Sequence, residues 1–429
     1  MKCLIKKITP AFLLSWYHFC LAILAKWLYL NPSKKIIVIG VTGTAGKSST
    51  CYFIAQLLEN AGLKVGITTT TLFKIGAKEW LNDKKITMLG RFQTQKFIKE
   101  MVKQKCDIAI IETSSEGIKQ FRHIGINYDI LVFTNLYPEH IESHGSFEKY
   151  KQTKGKLFKQ LKKTKHKKNT AKTIIINRDD KCADYFLSFE ADKKITYGIN
   201  KKSDITNKNY QINLLGKYNI YNVLAAVAVC QTLNIDKEKI TQAIPNLKPL
   251  PGRLEFIKND LGFKIMVDYS FEPKALAKLY ETIDGIDYRK LIHIIGSCGG
   301  GRDKARRPVL GKMAAKKANI VIITNEDPYD EDPQEIINQV GAGLVPGQDK
   351  QILKIIDRRQ AIHKALSIAK QNDLVLITGK GAEQAICIAN GKKIPWDDRQ
   401  VVRDELNKLR ASPFLTSTSS RISHLLAKR

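Results

Sequence analysis

No two of the eight cysteines stand in a Cys-x-x-Cys spacing, and most lie in apolar runs. That argues against zinc ribbons and paired redox thiols and reads as reduced core cysteines of a cytosolic protein. Acidic residues are scarce, 41 Asp and Glu against 71 Lys and Arg, for a net charge of +30. The deficit points to anionic partners: nucleotides, phosphorylated substrates, nucleic acid or an anionic membrane surface. A solvated, lysine-rich surface explains the same excess without any site. Internal repeats are absent. Long apolar runs are missing except for one, Ala11 to Leu30, preceded by Lys2, Lys6 and Lys7. It is long enough to span a bilayer. No small-residue cleavage site follows it and Lys26 interrupts it, which argues against a secretory signal. Trp16, Tyr17, Trp27 and Tyr29 suit a membrane interface. Three readings stay open: a helix on the cytoplasmic membrane face, a helix docked on the protein's own core, or a true span.

What is present from Lys35 onward is alternation of apolar strands and helices. IIVIGV (36–41) reads as a buried strand, followed by a glycine-rich turn and a helix closed by Gly62. KVGITTTT, IAIIET (108–113), DILVFTNL (129–136) and TIIINRDD (173–180) read as further strands, and GKYNIYNVLAAVAVCQTL as a helix. Near-continuous apolar strands separated by helices imply a mostly parallel sheet covered on both faces. NLKPLPG (246–252) is a punctuated boundary. Beyond it FKIMVDY, KLIHIIGSCGG, ANIVIITNEDP and DLVLITGKG form a second, smaller alternating set. The expected class is α/β: a central P-loop ATPase domain with a mostly parallel sheet, plus a smaller Rossmann-like C-terminal α/β domain. The expected organisation is an apolar N-terminal helix over 1–33, an ATP-binding domain over 34–248, a C-terminal domain over 249–411 and a basic, frayed tail over 412–429. The nine lysines between 151 and 168 read as ending in a solvated loop.

GVTGTAGKSST (40–50), between strand and helix, is the strongest single signal. Small residues let backbone N–H groups face a phosphate, and the helix N-terminus adds partial positive charge. The cradle is Thr42, Gly43, Thr44, Ala45, Gly46, Lys47 and Ser48, with Ser49 following. Lys47 reaches the β- and γ-phosphates and the Ser48 hydroxyl suits Mg²⁺. The usual pattern fails by one place, because Val41 stands where its first glycine belongs.

Further segments narrow the field. TNLYPEHIESHGSFEKYKQTKGKLF (134–158) resembles a central-domain motif of the Mur ligases, which add amino acids to the peptidoglycan precursor. IETSSEG, GKYNIYNVLAA, PGRLE, VDYSFEP, CGGGRDKARRP, TNEDPYDEDP, GKGAE and DDRQVVRDEL follow in that family's order. The resemblance covers roughly residues 35 to 410 and is best for the branch that makes the UDP-N-acetylmuramyl-tripeptide.

The resemblance implies ATP, one or two Mg²⁺, and an acyl-phosphate mechanism in which ATP sits between the central and C-terminal domains. Two anions must meet there, so their charge must be neutralised. Glu112, at a strand end, is placed to ligate the metal. His140 is similar to the family's second metal ligand, and Lys154 to its carbamylated lysine. The metal set is thus Ser48, Glu112, His140 and modified Lys154. Asn219 and Asn222 resemble positions lining the base pocket. Arg253 matches an arginine that reaches the phosphates, and Asp268 a residue on the ribose or adenine side. For the incoming amino acid the resemblance implies Arg302 and Asp303 on a glycine-rich turn, the selectivity segment Glu326, Asp327 and Tyr329, and Gly379 with Glu383. A surface histidine or lysine, a helix cap and a strand-end turn are the plain alternatives for these side chains taken singly.

Four departures bear on the substrate. Only about 34 residues precede the phosphate-loop strand, too few for the family's UDP-sugar domain. A lipid-linked muropeptide, or a partner chain supplying an acceptor-binding domain, therefore stands beside the UDP-linked acceptor. The selectivity segment reads Glu326-Asp327-Pro328-Tyr329 where diaminopimelate-adding enzymes have DNPR. Tyr329 cannot form that arginine's bidentate pair with a distal carboxylate, so lysine or a similar diamine is expected over meso-diaminopimelate. Ala382 replaces the histidine of GKGHE. Glu116 and Phe271 replace two further family histidines. The expected function is an ADP-forming ligase that adds an amino acid, a diamino acid by preference, to a muropeptide precursor. It is placed in the cytoplasm, at the inner membrane face if the N-terminal helix binds there, without nucleic acid. A related ligase acting on a lipid-linked precursor or adding glutamate-like residues, and a membrane-associated ATPase or regulatory subunit, are the rivals.

Overall fold

Isoleucine and valine dominate the segments between turns because β-branched side chains pack well on a pleated surface buried on both faces. The computed structural model describes residues 11–139, 141–167, 170–301, 304–344 and 350–411. His140, Arg302 and Asp303, the first ten residues and the tail from 412 lie outside the described residues. The chain divides into two compact units, Met1–Lys248 and Pro249–Arg429.

The first unit is built on an eight-stranded sheet. Its strands are β1 (Ile37–Thr42), β2 (Val65–Thr68), β3 (Leu72–Ile75), β4 (Lys78–Leu81), β5 (Ile108–Glu112), β6 (Ile130–Phe133), β7 (Thr173–Asn177) and β8 (Lys193–Tyr197). The spatial order is β4-β3-β2-β5-β1-β6-β7-β8. All pairs from β2 to β8 are parallel; β3 and β4 add an antiparallel edge. In the centre Ile39 lies opposite Ile110 on one side and Ile130 on the other. From β1 the chain leaves towards β2, while from the neighbouring β6 it leaves towards β7. That reversal makes a crevice at the carboxyl ends of β1 and β6, where open α/β sheets bind ligands.

Five helices of this unit matter below: α1 (Ala11–Leu28), α2 (Lys47–Asn60), α3 (Arg91–Lys103), α4 (Phe147–Leu161) and α5 (Lys217–Thr232). Helix α5 is apolar from Val223 to Cys230, every residue of which is fully buried, and it packs on α2. Helix α1 lies against α3, with Ala22 and Ala25 buried in the contact. No helix among the described residues is long and apolar enough to cross a membrane, so the spanning reading of Ala11–Leu30 is set aside. The docked reading holds for one face of α1. The first half of the lysine-rich segment 151–168 belongs to α4, where Lys154, Leu157, Phe158 and Leu161 turn inward.

The second unit carries a six-stranded sheet of order β13-β12-β11-β14-β10-β9. Its strands are β9 (Glu255–Phe256), β10 (Lys264–Val267), β11 (Leu291–Ile295), β12 (Ile320–Ile323), β13 (Gln351–Lys354) and β14 (Leu374–Ile377). Only β9 runs antiparallel. A small hairpin, β15 (Ala385–Cys387) with β16 (Lys393–Pro395), follows. The expected α/β class, with a larger mostly parallel sheet and a smaller Rossmann-like one, is borne out. The β3–β4 edge, the two-residue β9, β13 and the last hairpin are short and were not legible as separate strands.

Candidate active site

In the first unit the side chains expected at the site gather around the turn that joins β1 to α2. Gly43 and Gly46 have φ of 154° and 80°, and a Cβ on them would stand 1.9 Å from Thr134 Oγ1 and 2.4 Å from Asn222 Oδ1. Glycine is therefore required at both places. The loop after β6 holds the turn open: Thr44 N donates to Asn135 O (2.8 Å), Ala45 N to Asn135 Oδ1 (2.9 Å), and Thr134 Oγ1 to Ala45 O (2.8 Å). Thr44 also exchanges a hydrogen bond with Tyr150 OH at 3.2 Å. Thr42 is fully buried at the end of β1, and Ser49 is half-buried on the first turn of α2.

Charge is concentrated around this turn. Lys47 Nζ folds back to Thr44 O at 2.9 Å. Glu112, 2% exposed at the end of β5, accepts from Ser48 Oγ (2.6 Å), Thr70 N (2.8 Å) and Thr70 Oγ1 (3.0 Å). Lys154, 1% exposed on α4, donates to Gly43 O at 2.8 Å and lies over the Tyr150 ring. Burial, reinforced by the Lys47 ammonium, holds the Lys154 amine well below the ordinary lysine range. Five of the expected residues thus share one place: Gly43, Lys47, Ser48, Glu112 and Lys154. Among the described residues no group of three or more His, Cys, Asp and Glu forms a metal-binding cluster.

Asn219 and Asn222 are buried on α5, and Asn222 ties that helix to α2. Asn222 Oδ1 accepts from Thr50 Oγ1 at 3.2 Å, and Asn222 Nδ2 donates to Asn219 Oδ1 at 3.0 Å. Asn219 Nδ2 in turn donates to Leu215 O at 2.7 Å. Sequence reasoning had assigned no role to Thr70, Asn135 or Tyr150. The run of four threonines ending β2, and the TNLYPEH segment itself, were the available signals.

In the second unit the selectivity segment is buried. Glu326 accepts from the Cys298 thiol at 2.8 Å, its Oε2 has no hydrogen-bond partner among the described residues, and burial raises its carboxyl above the usual range. Asp327 Oδ1 accepts from Lys380 Nζ (2.9 Å) and Cys387 N (2.7 Å). The same ammonium donates to Glu383 Oε2 (2.6 Å) and Ala385 O (2.7 Å), while Tyr269 OH donates to Glu383 Oε1 (2.9 Å). Gly379 has φ 107°, and a Cβ there would meet Glu326 Oε2 at 2.6 Å. Tyr329 adopts a left-handed φ of 53° and packs beside Gly300. Arg253 lies over the Tyr269 ring, 4.3 Å from its centroid. Asp268 accepts from Leu254 N and from Ser270 N and Oγ, so both its oxygens close local turns. Arg306, which the sequence reading passed over, is buried against the Phe271 ring, and its Nε and Nη2 have no partner among the described residues.

Family comparison agrees with this geometry. The Mur ligase middle domain matches residues 41–230, and the Mur ligase glutamate ligase domain matches residues 252–381. A UDP-N-acetylmuramoyl-L-alanyl-D-glutamate–2,6-diaminopimelate ligase of Geobacillus thermodenitrificans is 34% identical over 412 residues, covering 91% of this chain and 83% of that one. The enzyme of the same name from Clostridium botulinum is 34% identical over 411 residues, 91% of this chain and 82% of that one. A solved structure of a ligase with this name superposes with a TM-score of 0.60 at 29% identity, over 87% of this chain and 79% of that chain. A folylpolyglutamate synthase of Mycobacterium tuberculosis shares the fold, with a TM-score of 0.64 at 16% identity over 83% and 92% of the two chains. The resemblance read from the ordered motifs is thereby borne out, and the chain belongs to the Mur ligase family of ATP-dependent, amide-bond-forming ligases.

Proposed function

We propose that the protein adds a diamino acid to the peptide of a muropeptide precursor, through an acyl phosphate, with ATP converted to ADP and phosphate. The convergence of Lys47, Ser48, Glu112 and Lys154 on the Gly43–Gly46 turn carries this reading. In it residues 34–248 form the ATP-binding domain and residues 249–411 the domain that receives the amino acid. The backbone N–H groups from Gly46 to Ser49 cradle the phosphates, since those of Thr44 and Ala45 are taken by Asn135, and Lys47 swings from Thr44 O to the β- and γ-phosphates. Asn219 and Asn222 hold the base side of the loop, and Arg253 and Asp268 act on the nucleotide side of the second unit.

The donor set fits Mg²⁺. One carboxylate, Glu112, and the Ser48 hydroxyl offer hard oxygen ligands, and this ion keeps its remaining positions for phosphate and water. His140 and a carbamylated Lys154 complete the proposed set. When bound, the ion neutralises phosphate charge as the acceptor carboxylate approaches. Lys154 is suited to modification because burial and the nearby Lys47 ammonium favour the uncharged form of its amine. A neutral amine adds to CO₂, forming an N–C bond and releasing one proton, and becomes an anion beside the loop. The acceptor carboxylate then displaces ADP from the γ-phosphorus. The amine of the incoming amino acid attacks the acyl carbon, and phosphate leaves.

Two observations bear on the amino acid. Tyr329 stands where a carboxylate-binding arginine is expected in diaminopimelate-adding enzymes, and the acidic pair Glu326 and Asp327 precedes it, which favours lysine. The buried Arg306, with two nitrogens unpartnered among the described residues, favours a diamino acid with a distal carboxylate, the substrate in the relatives' names. Arg302, Asp303, Gly379 and Glu383 are the further proposed contacts.

The acceptor is a UDP-linked muropeptide by the relatives' names. The exposed apolar face of α1 favours a second reading, a lipid-linked muropeptide met at the cytoplasmic membrane face. The deciding experiment incubates the purified chain with ATP, Mg²⁺, each acceptor and an amino-acid panel, and weighs the product. A product heavier than the acceptor by lysine less water supports the Tyr329 reading, and diaminopimelate less water the Arg306 reading. Activity appearing only with a second protein would assign acceptor binding to a partner chain.

A further inference from the structure

Helix α1 carries apolar side chains on both faces. Its inner face packs on α3. Its outer face bears Leu13, Trp16, Tyr17, Leu24, Trp27 and Leu28, spaced three, four or seven apart along one stripe. Trp16 is 68% exposed and Trp27 73%, and Leu30 beyond the helix is 77% exposed. A helix on a water-facing surface keeps charged residues outside, yet Lys26 is the sole charged side chain of α1. Tryptophan and tyrosine, apolar bodies with one polar atom, favour the boundary between water and hydrocarbon.

At the C-terminal end of α1 lies a cleft of about 270 Å³, lined by Lys26, Lys34, Lys163 and Lys165 with Asn31 and Thr164 among the other residues. No carboxylate lines it, and none of the four ammonium groups has an ion-pair partner among the described residues. The floor is fixed: Ser33 Oγ accepts from Asn127 N at 3.0 Å, and Gly125 O accepts from Gln95 Nε2 at 3.1 Å. Lys26, half-buried on the flank of α1, lines the cleft, and its chain neighbours Trp27 and Leu28 belong to the stripe, so the two features adjoin at the C-terminal end of the helix.

We propose that these two features form one surface that seats the protein on an anionic phospholipid bilayer. Trp16, Tyr17, Trp27 and Leu28 enter the interface, and the four lysines take the phosphate oxygens of anionic headgroups. This deepens the membrane-face reading given above and rests on it. A second copy of the chain is the poorer occupant, because pairing this face with itself brings lysine against lysine. A basic residue near an anionic surface contributes about fivefold in affinity.

The test uses the full chain and vesicles of phosphatidylcholine alone or with 30% phosphatidylglycerol. Sedimentation should show binding to the anionic vesicles and little to the neutral ones. Lys163→Glu with Lys165→Glu, both at exposed positions, should weaken that binding about 25-fold or more. The chain has four tryptophans, two of them in the stripe. Brominated lipid should therefore quench about half of the tryptophan emission, and Trp16→Ser with Trp27→Ser should remove the quenching. Amino-acid-dependent phosphate release with a soluble acceptor should be unchanged in both variants, which separates failure of this surface from failure of the ligase reading. Equal binding to neutral vesicles, no binding to either, or a dimer in solution that Trp16→Ser with Trp27→Ser dissociates would overturn the proposal.

Discussion

Ser48 Oγ donates to Glu112 Oε2 at 2.6 Å, joining the first turn of α2 to the end of β5 across the phosphate loop. Sixty-four positions separate the two residues in sequence, and the parallel pairing of β1 with β5 brings them together. The same carboxylate takes both donors of Thr70, so three elements are fixed by one side chain. Glu112→Gln keeps an oxygen acceptor for these donors and removes the charge. We predict little change in thermal midpoint and a loss of about 10² or more in kcat for amino-acid-dependent phosphate release. Retention of full kcat would remove Glu112 from the metal set.

Lys154 gives a test that needs no substitution. If its amine carries CO₂ during turnover, activity in buffer stripped of CO₂ should fall, and bicarbonate should restore it. Carbon-13 NMR with labelled bicarbonate should show a carbamate resonance that Lys154→Met lacks. Activity indifferent to CO₂, with no such resonance, would leave Lys154 as an unmodified amine on Gly43 O.

Lys380 is a buried ammonium shared by Asp327, Glu383 and the Ala385 carbonyl. Removing one partner of a buried pair leaves the other charge uncompensated, at a cost of roughly 3 kcal/mol or more. Lys380→Met should lower the urea midpoint of the second unit accordingly. Lys380→Met with Asp327→Asn should recover part of the loss. An unchanged midpoint in the single variant would mean that water already reaches the pair.

Two histidines set an acid limit on stability. Burial, aided by Lys156, lowers His123 to about 4, and burial lowers His293 to about 3. Both lie below the unfolded value of about 6.5, so the unfolded chain binds the extra protons. Their contribution is intact above pH 6.5 and is lost as pH falls from there towards 3–4. For His123 alone the loss reaches about 2 kcal/mol by pH 5. His123→Leu should therefore flatten the fall in unfolding free energy between pH 7 and pH 5. A parallel fall in wild type and variant would contradict the assignment.

Much of this architecture was legible in the sequence because buried parallel strands are written as unbroken runs such as IAIIE and LVLI. The phosphate loop was legible because its two strained glycines and its lysine fall within five residues. What periodicity does not encode is the company a side chain keeps across the sheet. Thr70 and Asn135 belong to the site through pairings more than 40 residues long, and nothing in their own segments announces it. The second unit shows the reverse error of scale. Asp268 and Glu383 sit in recognisable segments, yet the structure commits their oxygens to Ser270, Leu254, Lys380 and Tyr269. Helix α1 was ambiguous for a physical reason: an apolar stripe on both faces is what docking on α3 and contact with a membrane would each require.

The central claim is tested most directly by measuring phosphate release from ATP while acceptor and amino acid are supplied separately and together. The account predicts little release with either alone, sustained release with both, one amide formed per ATP used, and none of this in Lys47→Ala. Hydrolysis of ATP at the same rate with or without acceptor and amino acid, and with no amide product, would contradict it.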